Sequence, residues 1–253
     1  MISREILINK YFKNMLQIKD IKKNFGQKQA VDGISLHIEK GEIFSIIGPN
    51  GSGKTTLVKM IAGLLKPNSG SILVDGLDVT EVPEKTKLLV GYIPDEPAAW
   101  SHMTGEEFLH FIGVLYGISE AERLQRIPEL LNVFDLESIA SEYFESYSRG
   151  SKQKFSILAA LLHNPKLLVI DEPIVGLDPV SAQIAKKLFV NFAGEGNAVL
   201  IVTHTLSVAE EISSRIGFLE NGKIKDFGKI AELKSRAGLP ADSTLEALYN
   251  KLV

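Results

Sequence analysis

The chain has 253 residues, a net charge of −3 and a hydrophobic content of 45%, so it can form one large domain or two small ones around a substantial core. This charge excludes an overall basic surface for nucleic acid, although a local basic patch stays open. The lack of cysteine excludes disulfides, thiolate nucleophiles and cysteine-ligated metal ions.

Residues 1–14 precede the first predicted strands and are interpreted as an N-terminal extension, either a short amphipathic helix or a poorly ordered segment. They mix basic and apolar residues but lack the continuous apolar stretch and the small-residue cleavage site of a signal peptide. No apolar run in the chain approaches the roughly 20 residues that span a bilayer, so we expect a soluble protein.

The first strongly patterned region predicts two strands and a helix. Apolar and polar residues alternate from Ile34 to Ile38, which is the period of a half-buried strand, and Ile43 to Ile47 is continuously apolar, as in a fully buried strand. Apolar residues then recur at helical spacing from Leu57 to Leu65, with Pro67 and Gly70 beyond them as stop signals.

Between this buried strand and the helix, the chain satisfies a phosphate-loop pattern at every fixed position. Glycines allow backbone amides to turn toward a polyanion, and the start of the helix adds the positive end of its dipole. We expect the amides of Gly51 to Thr56 and the Lys54 ammonium to hold phosphates, and the Thr55 hydroxyl to bind Mg²⁺. A chance glycine-rich turn is the alternative. The loop consists of Gly48, Pro49, Asn50, Gly51, Ser52, Gly53, Lys54 and Thr55.

The middle of the chain, from about Pro97 to Tyr147, is predicted to be a helical insertion. Thr104 with Glu107, and Ser119 with Glu122, fit the capping box that satisfies free amides at a helix start. Apolar residues recur at helical spacing after each box.

A second acidic element follows the insertion. Leu167 to Ile170 reads as a buried strand, and it ends in Asp171 and Glu172. Because open α/β proteins place ligands at the carboxyl ends of their strands, we expect Asp171 to hold Mg²⁺ and Glu172 to accept a proton from the attacking water. The alternative is an acidic strand end that only caps a helix.

The last third of the chain predicts further strands and helices. Val199 to Thr203 reads as another buried strand, Asn221-Gly222 as a tight hairpin turn, and the tail from about Ile230 as helical. Strands that alternate with helices favour a mainly parallel sheet covered on both faces.

These motifs together resemble the ATP-hydrolysing subunit of ABC transporters, over roughly residues 16–230. The resemblance implies an α/β P-loop NTPase with a mainly parallel sheet, an antiparallel β subdomain and an inserted α-helical subdomain. It implies an ATPase domain at 15–235, a helical subdomain at about 97–150 and a helical tail at 236–253.

The family's signature segment, typically Leu-Ser-Gly-Gly-Gln, is matched by Tyr147-Ser148-Arg149-Gly150-Ser151. Ser148 and Gly150 agree with the pattern, and the other three positions resemble variants found among exporters. The resemblance implies that Ser148 and Gly150 contact ATP held by a second ATPase subunit. An ordinary helix cap is the alternative interpretation of Ser148.

Three further residues are assigned by the resemblance. Asp178 lies in a segment similar to the family's D-loop, and His204 follows a strand where the family places its switch histidine, which implies a contact with the γ-phosphate. Phe25 lies where the family stacks an aromatic ring on adenine, and a core phenylalanine is the competing interpretation.

One position departs from the family. Its Q-loop glutamine is replaced here by Asp95, after Gly91-Tyr92-Ile93-Pro94. A carboxylate oxygen at this position is expected to ligate Mg²⁺, but its charge and shorter reach differ from those of glutamine.

The resemblance implies ATP and Mg²⁺ as cofactors, a second ATPase subunit that is identical or different, and an integral membrane permease at the inner face of the cell membrane. The contact to the permease is predicted in the segment after Asp95, where Trp100 and Met103 form either an exposed apolar patch or part of the insertion core. Export is favoured over import by the signature variant. A soluble ABC ATPase, such as an iron-sulfur assembly factor, and a non-hydrolysing ATP sensor are the alternatives; no nucleic acid is expected.

Overall fold

A computed structural model describes residues 13–97, 102–172 and 174–252. The strands of this part of the chain are β1 (Asn14–Phe25), β2 (Lys28–Glu39), β3 (Ile43–Ile47), β4 (Ser69–Val74), β5 (Leu77–Asp78), β6 (Val90–Ile93), β7 (Leu167–Asp171), β8 (Ala198–Thr203), β9 (Arg215–Glu220) and β10 (Lys223–Gly228). The α-helices are α1 (Lys54–Ile61), α2 (Pro83–Leu89), α3 (Gly105–Leu115), α4 (Glu120–Asn132), α5 (Arg149–Leu161), α6 (Pro179–Gly194), α7 (Leu206–Ile212), α8 (Ile230–Arg236) and α9 (Leu245–Leu252).

The strands form two sheets. A six-stranded sheet has the order β10-β9-β3-β8-β7-β6, and it is parallel except for β10, which pairs antiparallel with β9. A four-stranded antiparallel sheet has the order β2-β1-β4-β5. The predicted mainly parallel sheet and the antiparallel subdomain are therefore confirmed.

The central strands of the parallel sheet have cores on both faces. Every residue of β3, β7 and β8 is buried. Successive side chains point to opposite faces, so Leu168 and Ile170 join the core shared with the helical insertion, whereas Leu167 and Val169 join the core beneath the antiparallel sheet. Burial on both faces explains why these strands are continuously apolar in the sequence.

The helical insertion begins as the capping boxes predict. The Thr104 hydroxyl accepts the Glu107 amide proton at 3.2 Å, and the Glu107 carboxylate accepts the Thr104 amide proton at 2.9 Å. The same reciprocal pair joins Ser119 and Glu122 at the start of α4. Each box satisfies amides that lack partners in the first turn, which fixes where α3 and α4 start.

The structure corrects one helix prediction. Helix α1 ends at Ile61, because Gly63 adopts φ +69° and turns the chain; Leu64, which the helical pattern included, is 60% exposed. The tail contains two helices, α8 and α9, which are separated by residues 237–244. The Asn221-Gly222 hairpin between β9 and β10 is present as predicted.

His163 lies in the packing of the helical insertion. Its ring stacks on Tyr116 with centroids 3.7 Å apart, and its Nε2 lies 3.2 Å from the Val90 carbonyl oxygen. Burial lowers the pKa of His163 to about 4, because a charged imidazolium loses its hydration there. The ring is therefore neutral in the folded protein at pH values where it is half protonated in an unfolded chain.

This difference predicts an acid-sensitive contribution to stability. The pKa of His163 is near 6.5 in the unfolded chain and near 4 in the folded protein, so between these pH values the unfolded chain binds more protons than the folded protein. The contribution of the neutral, buried ring to stability is therefore fully present above pH 6.5 and is lost as the pH falls toward 4. Between pH 7 and pH 5 the free energy of unfolding should fall by about 2 kcal/mol through this one residue. Urea unfolding of His163→Phe, which keeps an aromatic ring, should show a correspondingly flatter pH dependence. The exposed His102→Gln serves as control, and equal slopes for all three proteins would contradict the assignment.

Candidate functional site

The parallel register brings three segments to one edge of the sheet. Ile47 at the end of β3 pairs with Thr203 at the end of β8, and Asp171 at the end of β7 pairs with Val202. The loops that follow these strands therefore start side by side at the carboxyl edge, where open parallel sheets bind ligands. The phosphate loop, Glu172 and His204 lie in these loops, and Asp171 is the last residue of β7.

The phosphate loop requires glycine at several positions for two different reasons. Gly51 and Gly53 adopt φ +80° and +110°, which other residues rarely tolerate. Gly48 and Gly53 also lie against the main chain, since a Cβ atom would collide with the Leu219 carbonyl at Gly48 and with the Ala30 carbonyl at Gly53. The loop is therefore wedged between β9 and β2.

Lys54 begins α1 and points back along the loop. Its side chain is buried, and its Nζ donates hydrogen bonds to the carbonyl oxygens of Gly48 at 2.7 Å and Pro49 at 3.0 Å. Burial lowers the pKa of Lys54, and the negative charges of Glu172 and Asp171 oppose this shift. The ammonium is thus held inside the curve of the loop, where a phosphate would meet it.

Asp171 and Thr55 face each other across the bottom of the cleft. Asp171 is 3% exposed, and it lines the cleft together with Thr55. Burial raises the pKa of Asp171, the Thr55 side chain lowers it, and the nearby Asp95 and Glu172 raise it further. A hydroxyl and carboxylates are hard oxygen donors of the kind that Mg²⁺ prefers.

Glu172 is fixed by the strand beside it. Its backbone adopts φ +54°, and its amide donates to the Val202 carbonyl oxygen at 2.9 Å. Carboxylate Oε2 accepts the Thr203 hydroxyl proton at 2.8 Å; Oε1 accepts the His204 amide proton at 2.9 Å and lies 2.7 Å from His204 Nδ1. The structure therefore brings the two predicted catalytic side chains into direct contact, with Glu172 buried and the His204 ring half exposed.

These groups open into one cleft of about 250 Å³. Phe25 lies at its rim with 51% exposure, so it is not a core residue, and the Lys23 ammonium lies 5.5 Å from its ring centroid. Stacking of adenine on Phe25 stays a prediction. The residues that line the cleft are Phe25, Lys28, Ala30, Asn50, Gly51, Gly53, Lys54, Thr55, Thr56, Asp95, Asp171 and Glu172.

Seven predicted site residues lie outside this lining: Gly48, Pro49, Ser52, Ser148, Gly150, Asp178 and His204. Ser148 caps α5, where its hydroxyl accepts the Ser151 amide proton at 3.1 Å, so the helix-cap interpretation is correct as far as local structure goes. Asp178 caps α6 and accepts the Ser181 amide proton at 2.9 Å. Hydrogen bonds from the Ser181 hydroxyl and amide lower the pKa of Asp178 to about 2. A Cβ atom on Gly150 would lie 2.6 Å from the Gly176 carbonyl oxygen, which explains the glycine.

The structure adds residues that the sequence pattern did not single out. Thr203 holds Glu172, and its position as the last residue of a buried strand was the available signal. Arg149 donates to Asp95 at 3.3 Å, although the two are 54 positions apart in the chain.

Of the two residues in the predicted permease contact, Met103 is half-buried, and its carbonyl oxygen accepts the Phe144 amide proton. Trp100 lies outside the described residues.

The fold and cleft define a nucleoside triphosphatase of the phosphate-loop class, and comparisons with known proteins identify the family. A sequence profile described as ABC transporter matches residues 31–175. The linearmycin resistance ATP-binding protein LnrL of Bacillus subtilis is 38% identical over 88% of this chain and 72% of its own length. The lantibiotic transport ATP-binding protein SrtF of Streptococcus pyogenes is 34% identical over 83% of this chain and 89% of its own length.

Solved structures agree. An ATP-binding subunit of an ABC transporter matches with a TM-score of 0.89 and 34% identity, covering 94% of this chain and 99% of that one. A dimeric ATP-binding cassette in a post-hydrolysis state, bound to ADP and phosphate, matches with a TM-score of 0.78 and 26% identity over 85% and 99% of the two chains. The chain belongs to the ABC transporter family, as an ATP-binding subunit with ATPase activity. In the described residues, no helix has the length and apolar character to cross a bilayer.

The contact between Thr203 and Glu172 predicts a stability effect. Thr203→Val keeps the shape of the side chain but leaves a buried carboxylate oxygen without this donor, which should lower the free energy of unfolding by about 1–3 kcal/mol. Thr203→Ser keeps the hydroxyl and should lose clearly less. Urea denaturation followed by circular dichroism measures both; equal losses would show that the hydroxyl does not support Glu172.

Proposed function

We propose that this subunit hydrolyses Mg²⁺-bound ATP with Glu172 as general base, and that the energy drives export through a separate membrane subunit. The observation that carries this proposal is the convergence of Lys54, Thr55, Asp171, Glu172 and His204 at one edge of the parallel sheet. Their order along the chain does not bring them together, but the strand register does.

Mg²⁺ would be held by the Thr55 hydroxyl and by Asp171, with Asp95 as a third oxygen ligand at the mouth of the cleft. This ligand set suits Mg²⁺, since Mg²⁺ in phosphoryl-transfer sites is bound through one or two carboxylates together with substrate phosphates and water. When bound, the ion would neutralise charge on the transferred phosphoryl group.

The protein's own part in the reaction is positioning and proton transfer. Lys54 and the loop amides would fix the phosphates, and Glu172 would take a proton from water aligned for in-line attack. Its two oxygens are already oriented by Thr203 and His204. The half-exposed ring of His204 contacts the Glu172 carboxylate. This ring would lie beside the γ-phosphate and stabilise charge in the transition state.

The active site would be completed by a second ATPase subunit. Ser148, Gly150 and Asp178 lie outside the cleft of their own chain, which suits contacts with ATP bound by a facing copy. The solved dimeric cassette supports a pair of such subunits. ATP would shift this pair toward its closed form by binding more tightly there, and hydrolysis would reopen it.

The membrane partner would dock on an apolar groove beside Pro94. The groove measures about 310 Å³ and lies between β6 and the helical insertion, lined by Leu64, Tyr92 and Ile112 among others. It adjoins Asp95, so a partner there could sense the nucleotide site. Such docking would place the subunit at the inner face of the cell membrane, and the resistance and lantibiotic transport functions of the relatives support export.

The catalytic assignment predicts the behaviour of Glu172→Gln. The amide keeps the hydrogen-bonding shape but cannot accept the proton, so turnover should fall on the order of 10²- to 10⁴-fold. Binding of ATP should persist. Steady-state phosphate release and equilibrium nucleotide binding measure the two effects, with the exposed Glu246→Gln as matched control. Near-normal turnover in Glu172→Gln would remove this residue from its role.

The proposed pair predicts an ATP-dependent change of mass. Because Glu172→Gln should hold ATP without cleaving it, the closed pair should accumulate, and light scattering after gel filtration should report a dimer with ATP and a monomer with ADP. Adding Ser148→Arg, which places a bulky charged side chain on the exposed contact surface of the signature segment, should abolish the dimer. A dimer that forms equally with ADP would contradict ATP-driven closure.

A further inference from the structure

Two residues that depart from the family's motifs, Asp95 and Arg149, contact each other. Asp95 replaces the family's glutamine after β6, and Arg149 replaces a glycine of the signature segment at the start of α5. An Arg149 guanidinium nitrogen donates to Asp95 Oδ1 at 3.3 Å. The two departures from the family's pattern lie in separate motifs of the sequence, but in the structure they form a single ion pair.

The Arg149 side chain reaches Asp95 by lying across Gly176. A Cβ atom on Gly176 would be 3.2 Å from Arg149 Cγ and 3.3 Å from its Cδ. Gly176 also adopts φ +85°, so the absence of a side chain leaves room for the arginine stem. The guanidinium is therefore guided toward the cleft by the segment that precedes Asp178.

Asp95 adds a charge that a glutamine would not bring. The described residues lining the cleft include three carboxylates, Asp95, Asp171 and Glu172, but only two ammonium groups, Lys28 and Lys54. A third carboxylate would repel a triphosphate unless a cation offsets it.

We propose that Arg149 is a positioning residue for nucleotide binding: it fixes the Asp95 carboxylate at the mouth of the cleft and offsets its charge, so that ATP can enter before Mg²⁺ neutralises the site. The inference rests on the proposed function. It makes Asp95 and Arg149 a functional unit in which aspartate is tolerated at the glutamine position because the arginine is present.

The Asp95–Arg149 ion pair is suited to a role in nucleotide binding and contributes little to the stability of the fold. The Arg149 and Asp95 side chains are 55% and 47% exposed, and exposed ion pairs of this kind contribute little to stability. Variants at either position are therefore expected to fold, which circular dichroism and thermal unfolding would verify before any binding measurement.

The test measures ATP binding without Mg²⁺, in excess EDTA, at protein concentrations where the subunit is monomeric. Arg149→Gln should weaken binding roughly three- to tenfold, because Asp95 is then uncompensated. Asp95→Asn/Arg149→Gln should restore affinity to within about twofold of the unmodified protein, and Arg149→Lys should retain most of it. The loss in Arg149→Gln should shrink as salt is raised, because the effect is electrostatic.

Each binding result either supports or contradicts the proposed role of Arg149. A double variant as weak as Arg149→Gln, or a loss that salt does not change, would show that Arg149 acts through local structure and not through the charge of Asp95. Arg149→Gln binding as tightly as the unmodified protein would overturn the proposal outright. Failure of the unmodified protein to bind ATP, with or without Mg²⁺, would instead contradict the proposed function, so the two failures are distinguishable.

Discussion

The parallel pairing of β3, β8 and β7 is the constraint on which the rest of the site depends. Backbone hydrogen bonds fix the register of these strands, and their complete burial on both faces makes a slip costly, because every side chain would change sides. The carboxyl ends of the three strands therefore lie side by side at one edge of the sheet. A phosphate-binding loop, a pair of acids and a histidine from distant parts of the chain meet there without any long-range side-chain contact being needed to gather them.

Around this edge, the polar groups of the site are held mainly by the backbone and by short hydrogen bonds. Lys54 is held by carbonyl oxygens of its own loop, and Glu172 by Thr203 and the His204 amide. Buried charges without partners are costly, so these contacts let a lysine and two carboxylates share a small volume. In the proposed mechanism, the same contacts would reduce the reorganisation that is needed when substrate binds.

Much of this could be predicted from sequence, because the relevant signals are local. The phosphate loop, the capping boxes at Thr104 and Ser119, and the acidic end of β7 each follow from a few adjacent residues. The end of α1 was predicted wrongly, since apolar residues continue to Leu65 at helical spacing while Gly63 turns the chain. The Asp95–Arg149 contact could not be predicted, because it depends on how the helical insertion sits against the sheet, and no periodicity encodes that.

The close approach of Gly150 to the Gly176 carbonyl has a consequence for how two nucleotides would be processed. The turn that begins α5 and the turn that leads to Asp178 pack so closely that a Cβ atom on Gly150 would lie 2.6 Å from the Gly176 carbonyl oxygen. In the proposed pair of subunits, a displacement of one turn by the neighbour's triphosphate would therefore also displace the other turn, so that each subunit would respond to hydrolysis in its partner.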